Sequence, residues 1–184
     1  MKQVTKTISD EVSEVLRNVN TTETELLANE LKQAKRIFIA GTGRSGLVGK
    51  MVAMRLMHSG YPVYVVGETI TPSIEAEDLL LVISGSGNTE MLKYYGTQAK
   101  SIGAKVALVT TNKDSAIGQM SDCNVVIPAA TKKRLPHEPT TIQPLGNQFD
   151  QSAHLVLDAV IIYLLQLDDR GNDGSLNKKH ANLE

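Results

Sequence analysis

The sequence predicts an α/β protein: one five-stranded parallel sheet flanked by helices, with two further helices at the amino-terminal end. Beyond residue 35, short runs rich in Val, Ile and Leu alternate with helix-like stretches. These runs are apolar at consecutive positions, which is typical of strands in a parallel sheet that is covered on both faces. The predicted strands lie near residues 36–40, 62–66, 79–83, 105–109 and 124–127.

The first 34 residues predict two helices. Apolar residues recur at helical spacing from Ile8 to Val19 and again from Leu26 to Ala34. Thr22 precedes the second stretch and is followed three residues later by Glu25, which is the pattern of a capping box. We therefore expect Thr22 to cap the second helix.

Two crossover helices are predicted between the strands. One corresponds to LVGKMVAMRLMHSG, after the first strand, and the other to NTEMLKYYGTQAKSIG, after the third. In the first of these, Met51, Met54 and Met57 recur every three residues. The simplest interpretation is that these methionines pack in the core, against the sheet.

The last third of the chain predicts a loop and one long helix. Prolines recur after Pro128, and an apolar helix is expected from about Gln148 to Leu167. The polar sequence beyond Asp168 predicts a frayed terminus. The 184 residues fit one domain, with expected divisions at 1–34 (amino-terminal helices), 35–169 (α/β core) and 170–184 (tail).

Composition excludes several classes of function. Nineteen Lys and Arg against 20 Asp and Glu give a net charge of -1, which disfavours nucleic acid as a partner. The longest apolar run, Leu79 to Ile83, is far shorter than the ~20 residues of a membrane span. Cys123 is the only cysteine, so no intrachain disulfide forms, and a cytoplasmic location is expected.

Two glycine-rich loops each connect the end of a predicted strand to the start of a predicted helix. They are GTGRSG at 41–46 and SGSGNT at 84–89. Ligands of open parallel sheets bind beyond the carboxyl ends of the strands, where backbone N–H groups and helix dipoles favour an anion. The second loop adds short neutral donors, which suit the oxygens of a phosphate monoester. The alternative is that both loops only form tight turns and cap helices.

A dinucleotide site is a second interpretation of the first loop. GTGRSG fits the GxGxxG pattern, and Glu68 lies 22 residues beyond Gly46, where an acid that binds ribose is expected. Against this, 184 residues leave no room for the substrate domain of a dehydrogenase. The hydroxyl groups after the third strand would also have no role in holding a nicotinamide cofactor.

Several segments together resemble the sugar isomerase (SIS) family and, within it, the 6-phospho-3-hexuloisomerases. They are GTGRSG, AMRLMHSGYPVYVVGETITP, LLLVISGSGNTE, PLGNQFDQ and KKHANLE. The resemblance implies a flavodoxin-like fold, no metal or organic cofactor, and a tetramer. It also implies interconversion of 3-hexulose 6-phosphate and fructose 6-phosphate, in the ribulose monophosphate route of formaldehyde fixation or detoxification.

The resemblance also suggests the residues of the site. In the family, a Glu usually follows Phe after PLG and transfers the proton, whereas this chain has Asp150 after Phe149. A helix cap is the alternative role for Asp150. The phosphorylated sugar is expected on residues of the two loops: Gly43, Arg44, Ser45, Ser84, Gly85, Ser86, Gly87, Asn88 and Thr89. No metal ligands are expected.

Three more residues are candidates for catalysis. Glu68, in GETITP, is expected to bind a substrate hydroxyl, or to support residues that contact the substrate, rather than to act as the base; the alternative is a charge on a loop. His58 either assists ring opening or proton relay or bonds a carbonyl of its own helix. His180 lies in KKHANLE, and the resemblance suggests that this tail folds back, onto the site of a neighbouring subunit.

Two expectations concern partners. The amino-terminal helices and the last helix carry more apolar surface than one small sheet covers, which predicts a homo-oligomer. The competing class of function is a sugar-phosphate sensor of the same fold that binds ligand without turning it over.

Overall fold

The computed structural model describes residues 1–168, 176, 179–180 and 182. Its sheet has five parallel strands in the order β2-β1-β3-β4-β5. Each predicted strand is confirmed, with every boundary within one residue of its prediction. The strands are β1 (Ile37–Gly41), β2 (Val63–Val65), β3 (Leu79–Ile83), β4 (Lys105–Thr110) and β5 (Cys123–Val126).

Helices cover both faces of the sheet. One face is packed by α1, α2, α3 and α6, and the other by α4 and the short α5, which the sequence did not predict. Neighbouring residues of a strand point to opposite faces, so Ile39 joins the first core cluster and Phe38 the second. The helices are α1 (Lys2–Arg17), α2 (Thr21–Gln33), α3 (Gly43–His58), α4 (Glu90–Ile102), α5 (Ala116–Met120) and α6 (Asn147–Leu167).

The predicted cap of α2 is wrong. Asn20 is the cap residue, and its side chain accepts a hydrogen bond of 2.9 Å from the backbone N–H of Thr22. Thr22 already lies within the first turn, so its hydroxyl is not placed to cap the helix. Asn is as good a cap as Thr and stands two residues earlier, which explains the displaced start.

The predicted burial of the methionines is also wrong. Met51, Met54 and Met57 are 41, 49 and 44 % exposed. The buried side of α3 is formed instead by Val48, Val52 and Leu56, which recur every four residues. The helix thus has two apolar sides, and the sheet covers only one. We call the exposed side, formed by Leu47, Met51, Met54 and Met57, the methionine face.

The long final helix is confirmed as α6, whose buried apolar residues join the same core cluster as those of α1 and α2. The predicted frayed tail lies outside the described residues, apart from residues 176, 179, 180 and 182. Within the part of the chain that is described, no helix combines the length and apolarity that crossing a bilayer requires.

Candidate active site

The two glycine-rich loops begin side by side. Gly41 at the end of β1 is the register partner of Ile83 at the end of β3, and the two strands are neighbours in the sheet. Only Gly41 and Thr42 of the first loop precede α3, because the helix begins at Gly43 and its first turn contains Arg44 and Ser45; the second loop leads into α4, which begins at Glu90. Neither helix has a side-chain cap, so the backbone N–H groups of both first turns are open to a ligand.

The second loop is hydrogen-bonded by residues at the carboxyl end of β4. The carbonyl oxygen of Gly85 accepts hydrogen bonds from the backbone N–H of Thr111 at 3.0 Å and from the hydroxyls of Thr110 and Thr111 at 3.1 and 2.8 Å. Gly87 has a φ of +62°, and a Cβ there would lie 2.0 Å from the Oγ of Ser115. These supports were not predicted from the sequence, although Thr110 and Thr111 directly follow the strand predicted at 105–109.

The hydroxyls of the second loop are arranged to donate. Ser84 Oγ accepts the N–H of Gly87 at 3.2 Å, and Ser86 Oγ accepts the N–H of Asn88 at 3.3 Å. Each hydroxyl therefore keeps its own proton for a ligand oxygen. Asn88 has a different role, because its side-chain oxygen accepts the N–H of Ala116 at 3.0 Å and its amide donates to Ser86. It braces the loop against α5.

Asp150 lies against the first loop. Its Oδ2 accepts a hydrogen bond of 3.0 Å from Arg44 Nε, and its Oδ1 accepts one of 2.9 Å from Ser45 Oγ. The residue is only 7 % exposed. The cap of α6 is Gly146, so Asp150 does not cap its own helix. Asp150 nevertheless lies in the first turn of α6, where the helix dipole favours a carboxylate, as the alternative interpretation expected.

The neighbour of Asp150 contacts the second loop. A Cβ on Gly85 would lie 3.3 Å from the ring of Phe149, so this ring packs directly under the loop backbone. Phe149 and Asp150 thereby join the two loops into one site. Sequence reasoning placed both loops and Asp150 correctly at one edge, but it did not distinguish the roles of the loops.

The charge of Asp150 separates those roles. A phosphate placed on Arg44 and Ser45 would stand beside the carboxylate, and two like charges about 4 Å apart repel by roughly 4 kcal/mol near a protein surface. The second loop carries no acidic residue from Ser84 to Thr89. The geometry therefore favours the second loop for an anion and the first for orienting the carboxylate.

Glu68 reaches the same edge but is bonded elsewhere. Its carboxylate forms an ion pair of 2.6 Å with Lys50 on α3, and the two side chains are 50 and 56 % exposed. In this structure the carboxylate of Glu68 is therefore paired with a lysine of α3.

His58 and His180 lie together, far from Asp150 in the same chain. α3 starts at the carboxyl edge of the sheet, and its 16 residues carry His58 about 24 Å away. The two imidazole rings stack with centroids 5.3 Å apart. Burial, followed by the charges of His180 and Arg55, lowers the pKa of His58 below its usual 6.5, so the imidazole is neutral at pH 7.

Neither a cluster of metal-binding side chains nor a reactive thiol is found among the described residues. No group of three or more His, Cys, Asp or Glu side chains there could hold a metal ion. Cys123 is buried, and burial raises the pKa of its thiol to about 12, so it does not form a thiolate at neutral pH. The chemistry of the site rests on a carboxylate, hydroxyls, backbone N–H groups and one arginine.

A parallel sheet whose adjacent loops present anion-binding donors beside a buried carboxylate defines a binding or catalytic protein for a small phosphorylated molecule. The SIS domain model matches residues 30–142. The chain belongs to the SIS domain family, which confirms the resemblance seen in the sequence.

Individual relatives are more specific. The chain is 40 % identical to the 3-hexulose-6-phosphate isomerase of Bacillus subtilis over 90 % of its own length and 89 % of that protein. It is 42 % identical to the enzyme of the same name from Mycobacterium gastri, over 96 % and 88 % of the two lengths. A crystal structure of a hypothetical protein from Methanococcus jannaschii, whose inferred function is 3-hexulose-6-phosphate isomerase, superimposes with a TM-score of 0.85. That protein is 30 % identical, and both chains are covered completely.

Proposed function

We propose that this protein is an isomerase that interconverts D-arabino-hex-3-ulose 6-phosphate and D-fructose 6-phosphate. Relatives at 40 and 42 % identity that carry this enzyme's name support the substrate. The observation that carries the proposal is the buried carboxylate of Asp150, held by Arg44 and Ser45 beside the hydroxyl-rich loop. The reaction needs a base and an anion site in one pocket.

The phosphate binds the second loop. The hydroxyls of Ser84, Ser86 and Thr89 donate to its oxygens, and the first turn of α4 adds backbone N–H groups and the positive end of the helix dipole. Bonds to this remote group provide binding energy that positions the reacting carbons. The sugar then extends from the second loop toward the first.

Asp150 transfers the proton. From the 3-ketose, its carboxylate takes the proton on C2, and the electron pair of that C–H bond forms the C2–C3 double bond of an enediolate. The proton then returns at C3, while the proton of the C2 hydroxyl passes to O3, which leaves the carbonyl at C2. Arg44 orients the base and places a positive charge near the oxyanion.

The 3-ketose substrate does not require catalytic groups for ring opening. With O6 blocked by phosphate, this sugar closes no five- or six-membered ring, so it arrives open. Ring opening is needed only for fructose 6-phosphate. Glu68, once released from Lys50, is placed to bind a sugar hydroxyl at the rim of the site.

His58 and His180 act only if a second chain brings them to the carboxyl edge. We propose a homo-oligomer, a tetramer, in which the methionine face and the exposed residues Leu155 and Ile162 of α6 are covered. In that assembly, the neutral imidazole of His58 can accept a proton during ring opening. The single buried cysteine supports a cytoplasmic location.

Light scattering tests the assembly. The wild-type mass should be a multiple of 19.9 kDa, and Met54→Lys, which places a charge in the methionine face, should lower it. Met91→Lys is the matched control, because Met91 is 50 % exposed on α4, on the other side of the sheet. A wild-type mass near 20 kDa would contradict the oligomer.

Product formation tests the reaction. Purified protein mixed with D-arabino-hex-3-ulose 6-phosphate should form fructose 6-phosphate, seen by carbon NMR as loss of the C3 carbonyl signal. Binding of both sugars without conversion would indicate the sensor instead, and failure to bind either would contradict both interpretations.

A further inference from the structure

One carboxylate on the first helix holds the segment that leads to Asp150. Glu11 accepts hydrogen bonds from Thr141 Oγ1 at 2.6 Å, from the backbone N–H of Ile142 at 2.8 Å and from Gln143 Nε2 at 3.0 Å. We call this arrangement the Glu11 clamp. It joins α1 to a segment about 130 residues later in the chain, and it lies outside both glycine-rich loops.

The backbone between residues 141–143 and α6 contains one unfavourable conformation. Leu145 has a φ of +52°, in the left-handed region that L-residues avoid. Its side chain is 69 % exposed, so packing of that side chain does not hold the backbone there. The N–H of Asn147 bonds the carbonyl oxygen of Pro144 at 3.2 Å and closes the turn around Leu145. Something outside the turn must keep this conformation in place.

The clamp meets a second set of bonds on the other side of the segment. Arg134 Nη2 donates to the carbonyl oxygen of Gln143, and Gln148 Oε1 accepts the N–H of Ala130 at 2.7 Å. Gln143 and Gln148 are 3 and 2 % exposed. Hydrogen bonds therefore hold the chain both before and after Leu145, where it enters α6.

The charge of Glu11 fits this role. Burial alone would raise the pKa of its carboxyl. The bonds from Thr141, Ile142 and Gln143, with the charge of Arg134, instead hold that pKa below its usual 4.5. At neutral pH, Glu11 is therefore an acceptor only, which matches three donors aimed at its two oxygens.

We propose that Glu11 is a positioning residue for proton transfer, fixing the segment from Thr141 to Gly146 and hence the place of Asp150. The proposal rests on the proposed function. The N–H of Asp150 already bonds the carbonyl oxygen of Gly146, so a shift of the turn moves Asp150 with it. A misplacement of about 1 Å can cost ~100-fold in rate, and an Asp side chain has little length with which to compensate.

The test is Glu11→Gln, which keeps the shape but directs an amide NH₂ at one of the three donors. We expect kcat to fall about 10-fold or more while KM for fructose 6-phosphate stays within about 2-fold, because the hydrogen bonds of Glu11 go to residues 141–143 and not to the second loop. Glu14→Gln is the matched control, since Glu14 lies one turn later and, among the described residues, its carboxylate bonds Arg17 and Asn18 at the exposed surface. It should leave kcat unchanged.

A second variant separates positioning from general stability. Adding Leu145→Gly to Glu11→Gln should restore much of kcat, since Gly adopts a φ of +52° without strain. A lower Tm in Glu11→Gln without the expected fall in kcat at unchanged KM would mean that Glu11 only stabilises the fold. That result would overturn the proposal.

Amide hydrogen exchange keeps this test independent of the activity. Glu11→Gln should raise exchange at the amides of residues 145–150, while the amides of the second loop keep their protection. Unchanged exchange there overturns the positioning role, whatever the enzyme does. If wild-type protein binds the sugar phosphates but converts neither, the proposed function fails, and the exchange result alone still decides whether the clamp holds the turn.

Discussion

The hydroxyl of Ser45 donates a hydrogen bond of 2.9 Å to the carboxylate of Asp150, a residue 105 positions later in the chain. The bond assigns the two glycine-rich loops different tasks, although the sequence makes them look alike. The first loop orients a carboxylate, and the second offers donors to an anion. Phe149, packed under Gly85, sets the distance between the two.

Gly87→Ala should disrupt the second loop. The added Cβ would lie 2.0 Å from Ser115 Oγ, and the φ of +62° is unfavourable for Ala, so the loop must rearrange. Calorimetric titration should show at least a 10-fold loss of affinity for fructose 6-phosphate. Gly103→Ala is the control, because its φ of +93° is also positive but its Cβ would meet only Ala76 at 3.4 Å. That variant should lose about 1 kcal/mol of stability and no affinity. Equal affinities in both variants would contradict the assignment.

Ser84 and Ser86 should together account for much of the phosphate affinity. Replacing both by Ala removes two hydroxyl donors, and each hydrogen bond to a charged group is worth roughly 1.5 to 3 kcal/mol. The dissociation constant of the sugar phosphate should rise by ~100-fold or more, whereas Ser101→Ala, at the far end of α4, should leave it unchanged. An unchanged constant in the double variant would place the phosphate elsewhere.

His58 should make the fold sensitive to mild acid. Because burial and nearby charges lower its pKa in the folded state, the unfolded chain binds a proton more readily as the pH falls below 6.5. The stability that is present above pH 6.5 is therefore lost as the pH falls toward the lowered value. Tm measured at pH 7.5 and 5.5 should drop less for His58→Gln than for wild type. His137→Gln, in an exposed loop, should keep the full drop. An identical drop in all three proteins would contradict this account.

The sheet could be predicted closely because its strands are buried on both faces. In β3, all five residues from Leu79 to Ile83 are buried. A short, continuous apolar run bounded by turn residues is typical of such a buried strand. The loops could be found for a related reason: glycine and hydroxyl residues directly after buried strands mark the ligand-binding edge.

Contacts between distant segments could not be predicted in this way. Nothing in the sequence pairs Glu11 with Thr141, because a single carboxylate on an amphipathic helix is indistinguishable from a solvent-exposed charge. The methionine face was misjudged because spacing shows that a side of a helix is apolar without showing what covers it. The five residues of α5 are too few to display a period.

Exchange of the C3 proton of fructose 6-phosphate tests the central claim, that Asp150 moves a proton on a sugar anchored by its phosphate. In deuterated water, the wild-type protein should wash deuterium into C3 and leave C1 unlabelled. Asp150→Asn, which keeps the shape but not the basicity, should slow this at least ~100-fold with binding within a few-fold, and Asp150→Glu should retain substantial exchange. Normal exchange in Asp150→Asn, together with loss of exchange and intact binding in Glu68→Gln, would contradict the account and place the base after β2.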